Sequence, residues 1–145
     1  MVELVIAKKE DSEEWNKIVK GSSHGTIFHT WQWLKIAEKH SSSKLYPLMG
    51  YKGSTPIGLY PIFLQKRGRF LKLAFSPPPK ALLLYMGPAF INYNKLKQSR
   101  KETIFLEFQN SVDEFINNKL RCGYIRVRTP PGLIDCRPLK WLNYN

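Results

Sequence analysis

The chain has 145 residues, of which 43% are hydrophobic, and it carries a formal net charge of +12 at pH 7. Its four Trp, seven Tyr and eight Phe exclude a disordered chain, and its length fits one domain with a core of its own. The only cysteines, Cys122 and Cys136, argue against a disulfide framework. No stretch approaches the ~20 apolar residues of a spanning helix, and none suits a signal peptide. We therefore expect a soluble, cytoplasmic protein.

The net charge is confined to the middle of the chain. Residues 39–101 contain twelve Lys or Arg and no acidic residue, whereas acidic and basic residues balance elsewhere. This concentration of positive charge attracts polyanions, which include tRNA, a nucleotide-linked substrate, coenzyme A and an anionic membrane surface. The charge alone does not choose among them.

The first part of the chain predicts one strand followed by two helices. Residues 2–6 form the strand, and Asp11-x-x-Glu14 predicts the capped start of a helix that ends at Gly21. Thr30 predicts the N-cap of the second helix. The apolar face of that helix is expected to hold Trp33, Ile36 and Ala37.

The basic middle predicts a set of hairpins. Residues 45–51 and 55–65 are expected to be strands, and Arg67-Gly68 turns the chain into a third strand over residues 70–75. Residues 82–86 are expected to resume a strand. Pro61 has no amide hydrogen to donate, so we expect a bulge or a strand edge there.

The last part predicts a long helix and a strand. Residues 98–120 have helical periodicity, and residues 124–128 alternate as a strand does. The predicted apolar face of the helix consists of Phe105, Phe108, Val112, Phe115 and Ile116. The element order is β-α-α-β-β-β-α-β, which predicts an α/β fold with a mixed, mainly antiparallel sheet flanked by helices.

Two motifs resemble a known family. They are Gly25-Thr26-Ile27-Phe28-His29-Thr30-Trp31-Gln32-Trp33-Leu34 and Pro56-Ile57-Gly58-Leu59-Tyr60-Pro61-Ile62. Together they resemble the entry segment of the Fem-type peptidyl and aminoacyl transferases and their GNAT-fold relatives, the FemAB-like acyltransferases. The likeness continues in Ser76-Pro77, in Gly87-Pro88 and in the segment around Cys136. The predicted element order also matches the start of the GNAT fold.

The resemblance implies a scaffold that transfers an acyl or aminoacyl group to an amine. It implies acyl-CoA or aminoacyl-tRNA as a co-substrate and no permanently bound cofactor. Residues 1–145 would then be one GNAT-like domain, the N-terminal half of a two-half transferase, with a second half or another copy as a partner. The basic segment Gln65-Lys66-Arg67-Gly68-Arg69-Phe70 lacks the last small residue of the GNAT coenzyme A loop and precedes a strand, so we interpret it as a basic turn.

The candidate substrate-binding residues are His29, Trp33, Tyr60, Ser76, Tyr85, Arg126 and Arg128. Arg126 and Arg128 share one face of a strand, which suits bidentate contact with a phosphate or carboxylate, or alternatively with a carboxylate of the chain itself. The loop that begins at Ser76 is rigid with proline and is expected at a cleft mouth. The sequence predicts no metal site and identifies no general base. The alternative function is a non-catalytic basic module that binds tRNA, other RNA or a partner domain.

Overall fold

The computed structural model describes residues 1–145 and contains one six-stranded sheet with helices on both faces. The strands are β1 (Glu3–Ile6), β2 (Lys44–Lys52), β3 (Thr55–Arg67), β4 (Leu71–Ser76), β5 (Ala89–Phe90) and β6 (Tyr124–Val127). The helices are α1 (Ser12–Gly21), α2 (Trp31–Ser41), α3 (Gln98–Glu114) and the short α4 (Arg137–Trp141). No helix has the length and apolar content needed to cross a bilayer. The α/β prediction is confirmed, with β5 and α4 added to the predicted elements.

The sheet is open and mostly antiparallel. Five strands lie in the order β1-β2-β3-β4-β6, and β5 pairs with β3. Only β4 and β6 are parallel. A parallel pair needs a crossover connection, which α3 supplies here. The chain therefore returns to the same edge of the sheet about fifty residues later and in the same direction.

Alternate residues of β3 pack on opposite faces of the sheet, as the two-residue period of a strand requires. Tyr60 and Ile62 join the apolar cluster beneath α3, whereas Leu59 and Phe63 join the cluster beneath α1 and α2. The five residues predicted as the apolar face of the long helix, Phe105, Phe108, Val112, Phe115 and Ile116, are all buried in the first cluster. After Glu114 the helix continues as a π-helical turn over Phe115–Leu120. The prediction of the long helix is therefore confirmed.

The two N-terminal helices begin where predicted, but their caps differ. The Asp11 carboxylate accepts from the backbone N–H of Lys8 at 2.8 Å. The Thr30 hydroxyl donates to the carbonyl of Ile27 at 2.6 Å. A short 3-10 turn precedes each helix, and it uses the side chain that was expected to cap the helix. Asp11 and Thr30 therefore occupy the predicted N-cap positions, but neither side chain makes the capping hydrogen bond to its helix.

The buried stripe of α2 is displaced from the predicted face. Leu34, Ala37 and Ser41 are buried against the sheet, whereas Ile36 is 47% exposed. Trp33 is half-buried and packs against the apolar cluster beneath α1 and α2. Its ring lies beside the core, on the side that faces the loop after β4.

Residues 82–86 form a loop, so the strand predicted there is wrong. Lys80 and Leu82 have φ angles of 68° and 55°, which strand residues do not adopt. Leu82 and Leu84 are 94% and 70% exposed. An apolar run becomes a strand only where a neighbouring edge can pair with it, and the pairing falls instead on β5, which bonds to β3.

The chain passes Pro61 without a bulge. Pro61 is in register with Pro47 of β2, and the register shift of this pair lies between Gly50 and Tyr51. On the other edge of β3, β4 pairs with residues 63–67 and β5 with residues 58–59. The expected bulge is therefore wrong and the strand edge is confirmed. A residue without an amide hydrogen thus sits where β3 has no ladder partner on the edge that faces β4 and β5.

Candidate functional site

A basic cavity of about 230 Å³ lies at the carboxyl ends of β4 and β6. Because these strands are parallel, with Ser76 opposite Val127, the residues that follow them meet at one edge of the sheet. The lining consists of residues 77–80, Leu82, Leu83, Arg126 and Arg128. The structure thus brings the two predicted arginines together with the proline-rich loop.

Neither arginine is neutralised by the chain. The four ion pairs of the protein are Lys35–Glu38, Lys52–Glu107, Arg137–Glu102 and Arg137–Asp135. The guanidinium carbon of Arg126 lies 5.1 Å from the centroid of the Phe75 ring, which orients the planar group without cancelling its charge. With Lys80, the cavity presents three cationic side chains, and such a set suits a phosphate or carboxylate. The alternative of a carboxylate partner within the chain is wrong.

An apolar pocket of about 250 Å³ adjoins the basic cavity. It is lined by Trp33 and other residues of α2 on one side, and Lys80, Leu82 and Leu83 line both spaces. A ligand with one apolar and one anionic part could therefore contact both sides of the same loop. Tyr85 does not line either space; its ring lies 5.4 Å from that of Phe28, which in turn lies 5.9 Å from Trp33.

Ser76 and His29 are buried and hold the wall of the cavity in place. The Ser76 hydroxyl accepts from the N–H of Gly87 at 3.0 Å, and its carbonyl accepts from the N–H of Arg128 at 2.8 Å. His29 Nε2 lies 3.1 Å from the carbonyl oxygen of Gly87. Both side chains are fully shielded from solvent. They position the strand ends and the returning loop rather than contact a ligand.

The imidazole of His29 is held in one tautomer. Its Nδ1 lies 3.2 Å from the backbone N–H of Thr26, which can only donate, so Nδ1 accepts and Nε2 carries the hydrogen. Burial lowers the pKa of His29 to about 4, although the carbonyls of Gly87 and Met86 oppose the shift. A neutral ring is therefore part of the folded structure at neutral pH.

A larger groove of about 620 Å³ lies along β6 and the last residues of the chain. Its lining includes residues 122–127, Asp113 and Asn117 from the α3 side, and residues 142–145. Arg126 lines both this groove and the basic cavity. Arg126 is therefore the one residue that the two linings share.

Asp113 is an acceptor in this groove. Its Oδ1 accepts from the hydroxyl of Tyr144 at 2.5 Å and from Nε2 of Gln109 at 2.9 Å. Its Oδ2 makes no hydrogen bond within the protein, and the side chain is half-buried in the lining of the groove. Burial raises the pKa of Asp113, and the two hydrogen bonds oppose the shift. The free oxygen is therefore more basic than that of an exposed carboxylate and can accept a proton from a ligand.

Tyr60 lies in the core behind this carboxylate. Its hydroxyl donates to Oε1 of Gln109 at 2.9 Å, and burial raises its pKa well above the usual value. That bond fixes the orientation of the amide, so its NH₂ group points towards Asp113. Tyr60 therefore positions the carboxylate through Gln109 and has no surface of its own in the groove.

A scan against family models, a search of curated proteins and a search of solved structures found no match to the chain. The FemAB and GNAT resemblance therefore remains a prediction. The structure itself confirms the coarser statement, a mixed α/β fold with a mostly antiparallel open sheet. No group of three or more His, Cys, Asp or Glu side chains is placed to hold a metal ion.

Asp113, Tyr144 and Lys80 are the candidate site residues that the sequence analysis missed. One signal was available: Gln109 and Asp113 lie four residues apart in the long helix, interspersed among the residues of its predicted apolar face. Polar side chains on such a helix face need partners, and they often mark a site. Nothing in the sequence places Tyr144 next to Asp113, which is 31 residues away.

Proposed function

We propose that the chain is an acyl- or aminoacyl-transferase domain of the FemAB and GNAT type, which transfers an acyl group to an amine. One observation carries the proposal. Two arginines without an ion-pair partner and a half-buried carboxylate line two neighbouring spaces that share Arg126 as a lining residue. The order of strands and helices supports the same family, since it begins as the GNAT fold begins.

The donor binds through its phosphate groups. Arg126, Arg128 and Lys80 form a cationic cavity without a carboxylate, and both candidate donors, acyl-CoA and aminoacyl-tRNA, carry phosphate groups. The pocket beside Trp33 receives the apolar part of the donor. Fixing the donor at both parts supplies the positioning on which this chemistry depends.

The amine is activated in the groove. Asp113 Oδ2 takes a proton from the attacking amine, whose nitrogen forms a bond to the donor carbonyl carbon. The C–S bond of a thioester, or the C–O bond of an aminoacyl ester, then breaks, and the proton taken up by Asp113 passes to the leaving sulfur or oxygen, which departs as a thiol or hydroxyl. Tyr144 and Gln109 hold the carboxylate in place during the step.

Replacing both arginines, Arg126→Gln with Arg128→Gln, should abolish donor binding without unfolding the protein. Two charge-assisted contacts would be lost, each of about 1.5–3 kcal/mol, so we expect a loss of at least a hundredfold in affinity. Isothermal titration with acetyl-CoA and filter binding with alanyl-tRNA are the measurements. The matched control is Lys95→Gln with Arg100→Gln, which removes two exposed charges away from the cavity. Equal losses in the two double variants, or no binding of either donor by the wild type, would contradict the proposal.

Asp113→Asn should leave donor binding intact and reduce transfer. Proton acceptance by a positioned group contributes typically 10²–10⁴-fold, so we expect a loss of about a hundredfold or more in transfer rate. The measurement is release of coenzyme A from acetyl-CoA, or loss of the amino acid from alanyl-tRNA, with a lysine-containing peptide as acceptor. The control is Glu114→Gln, a neighbouring exposed carboxylate on the same helix. An unchanged rate in Asp113→Asn excludes this residue as the base.

A second candidate is a non-catalytic module that binds RNA. Of the twelve basic residues between positions 39 and 101, only Lys52 forms an ion pair. The positive charge of this part of the chain is therefore largely not neutralised within the protein. If tRNA binds equally well to the Arg126→Gln, Arg128→Gln variant and falls about a thousandfold between 50 and 200 mM salt, the module is favoured. If binding depends on the two arginines, the transferase is favoured.

A further inference from the structure

The tip of the β3–β4 hairpin is the most exposed apolar point on the sheet. Arg67 pairs with Leu71, and a three-residue turn that ends in Phe70 joins them. Phe70 is 90% exposed and Leu71 is 50% exposed. A Phe and a Leu side by side at the end of a projecting hairpin contribute nothing to the core, so their exposure needs another explanation.

The charged residues at the end of the hairpin are all basic. Lys66, Arg67, Arg69 and Lys72 flank the two apolar residues, and none of them forms an ion pair. Lys66 lies directly opposite Lys72 in the strand register. Like charges in directly opposed positions destabilise a hairpin. A surface of opposite charge would remove that cost.

We propose that this hairpin tip docks on an anionic lipid bilayer. Phe70 and Leu71 enter the interface between headgroups and acyl chains, and the four basic residues lie against anionic headgroups. Aromatic side chains prefer this interface, and each Lys or Arg near an anionic leaflet contributes about 1 kcal/mol, or about fivefold in affinity. The interaction goes beyond the proposed transferase activity and does not depend on it.

The shape of the tip favours lipid over nucleic acid. Proteins that bind single strands stack bases on aromatic platforms within a charged groove, and Leu71 offers no ring for stacking. The tip is convex and has one aromatic residue, which suits insertion rather than a stacked row of bases. β4 runs from the hairpin to Ser76, so the basic cavity lies about 17 Å away at the far end of the strand and stays accessible on a bound molecule.

Vesicle sedimentation tests the proposal. The full chain is mixed with 100 nm vesicles of either 30% phosphatidylglycerol and 70% phosphatidylcholine or phosphatidylcholine alone. We expect binding to the anionic vesicles only, with release at 500 mM salt because the charges are screened. Phe70→Ser should weaken binding about tenfold, and Arg67→Gln with Arg69→Gln about 25-fold.

Two controls match these variants. Ile134→Ser removes a side chain that is also 90% exposed, and Lys95→Gln with Arg100→Gln removes the same charge elsewhere; neither should reduce binding by more than about twofold. Equal binding to neutral vesicles, no binding at all, or full binding by Phe70→Ser would overturn the proposal. The proposal would also be overturned if Phe70→Ser left vesicle binding unchanged and instead abolished binding to a 20-nucleotide poly(U) RNA. The same holds if its only effect were the loss of a dimer in sedimentation velocity. Those results would assign the tip to RNA or to a second copy.

Discussion

Gly25→Ala is expected to destabilise the protein by about 3 kcal/mol or more. A Cβ atom at this position would lie 2.0 Å from the carbonyl oxygen of Val19 and 2.9 Å from its carbonyl carbon. Both are backbone atoms of α1, so no side-chain rotation can relieve the overlap. The connection between α1 and α2 would have to move.

That movement would also break contacts with the sheet. The hydroxyl of Ser22 donates to the carbonyl of Phe90 at 2.6 Å, and the N–H of Phe90 donates to His24 Nδ1 at 3.3 Å. These bonds fasten the connection to β5, and the burial of both side chains makes an unmade bond costly. The loss should therefore exceed that of an ordinary overpacked site.

Urea unfolding followed by tryptophan fluorescence measures this effect. Gly21→Ala is the matched control, because a Cβ at Gly21 meets nothing within 4 Å and the residue closes a helix, where Ala is favoured over Gly by up to about 1 kcal/mol. We expect the unfolding midpoint of Gly25→Ala to fall and that of Gly21→Ala to stay or rise. Equal midpoints for the two variants would show that the connection accommodates the added atom.

The strands and the long helix could be predicted because each has one residue pattern and one consistent environment. The stripe from Phe105 to Ile116 repeats with helical spacing, and β3 alternates between two buried faces. Local sequence determines both. Residues 82–86 have the same apolar character as a strand, but strand formation depends on a partner edge, and local sequence does not report where edges lie.

The site could be predicted in part for the same reason. Arg126 and Arg128 share a strand face, which the sequence reveals, but their contact with the loop after Ser76 depends on the parallel pairing of β4 and β6. That pairing joins segments about fifty residues apart. The burial of Tyr60 and Ser76 depends on the same long-range arrangement. A polar residue in a strand has the same local sequence pattern whether its side chain faces a cleft or the core. Contacts between residues far apart in the chain therefore could not be predicted from the local sequence pattern.

The stability of the protein is expected to fall as the pH is lowered from about 6.5 to about 4. His29 has its pKa lowered to about 4 because it is buried, whereas an unfolded histidine has a pKa of about 6.5. Below pH 6.5 the unfolded state binds the proton and the folded state does not, so the free energy of unfolding decreases. The pKa of His24 is also lowered, by burial and by the nearby charge of Lys101, and acts in the same direction.

The expected loss from His29 alone is about 3 kcal/mol over this range. Carboxylates with a lowered pKa, such as Asp135 beside Arg137, lose their contribution only as the pH falls below about 4, so urea unfolding between pH 6.5 and pH 4.5 isolates the histidines. Asp113, whose pKa is raised by burial, acts in the opposite direction near the acid end.

Replacing His29 separates this effect from general acid sensitivity. His29→Gln should be less stable at pH 7, since the side chain no longer bridges the Thr26 amide and the Gly87 carbonyl, but its stability should depend less on pH between 6.5 and 4.5. His40→Gln, which removes an exposed histidine, should keep the wild-type slope. The deciding quantity is the slope of unfolding free energy against pH. An identical slope in wild type and His29→Gln would mean that the buried ring takes up its proton in the folded state as easily as in the unfolded chain.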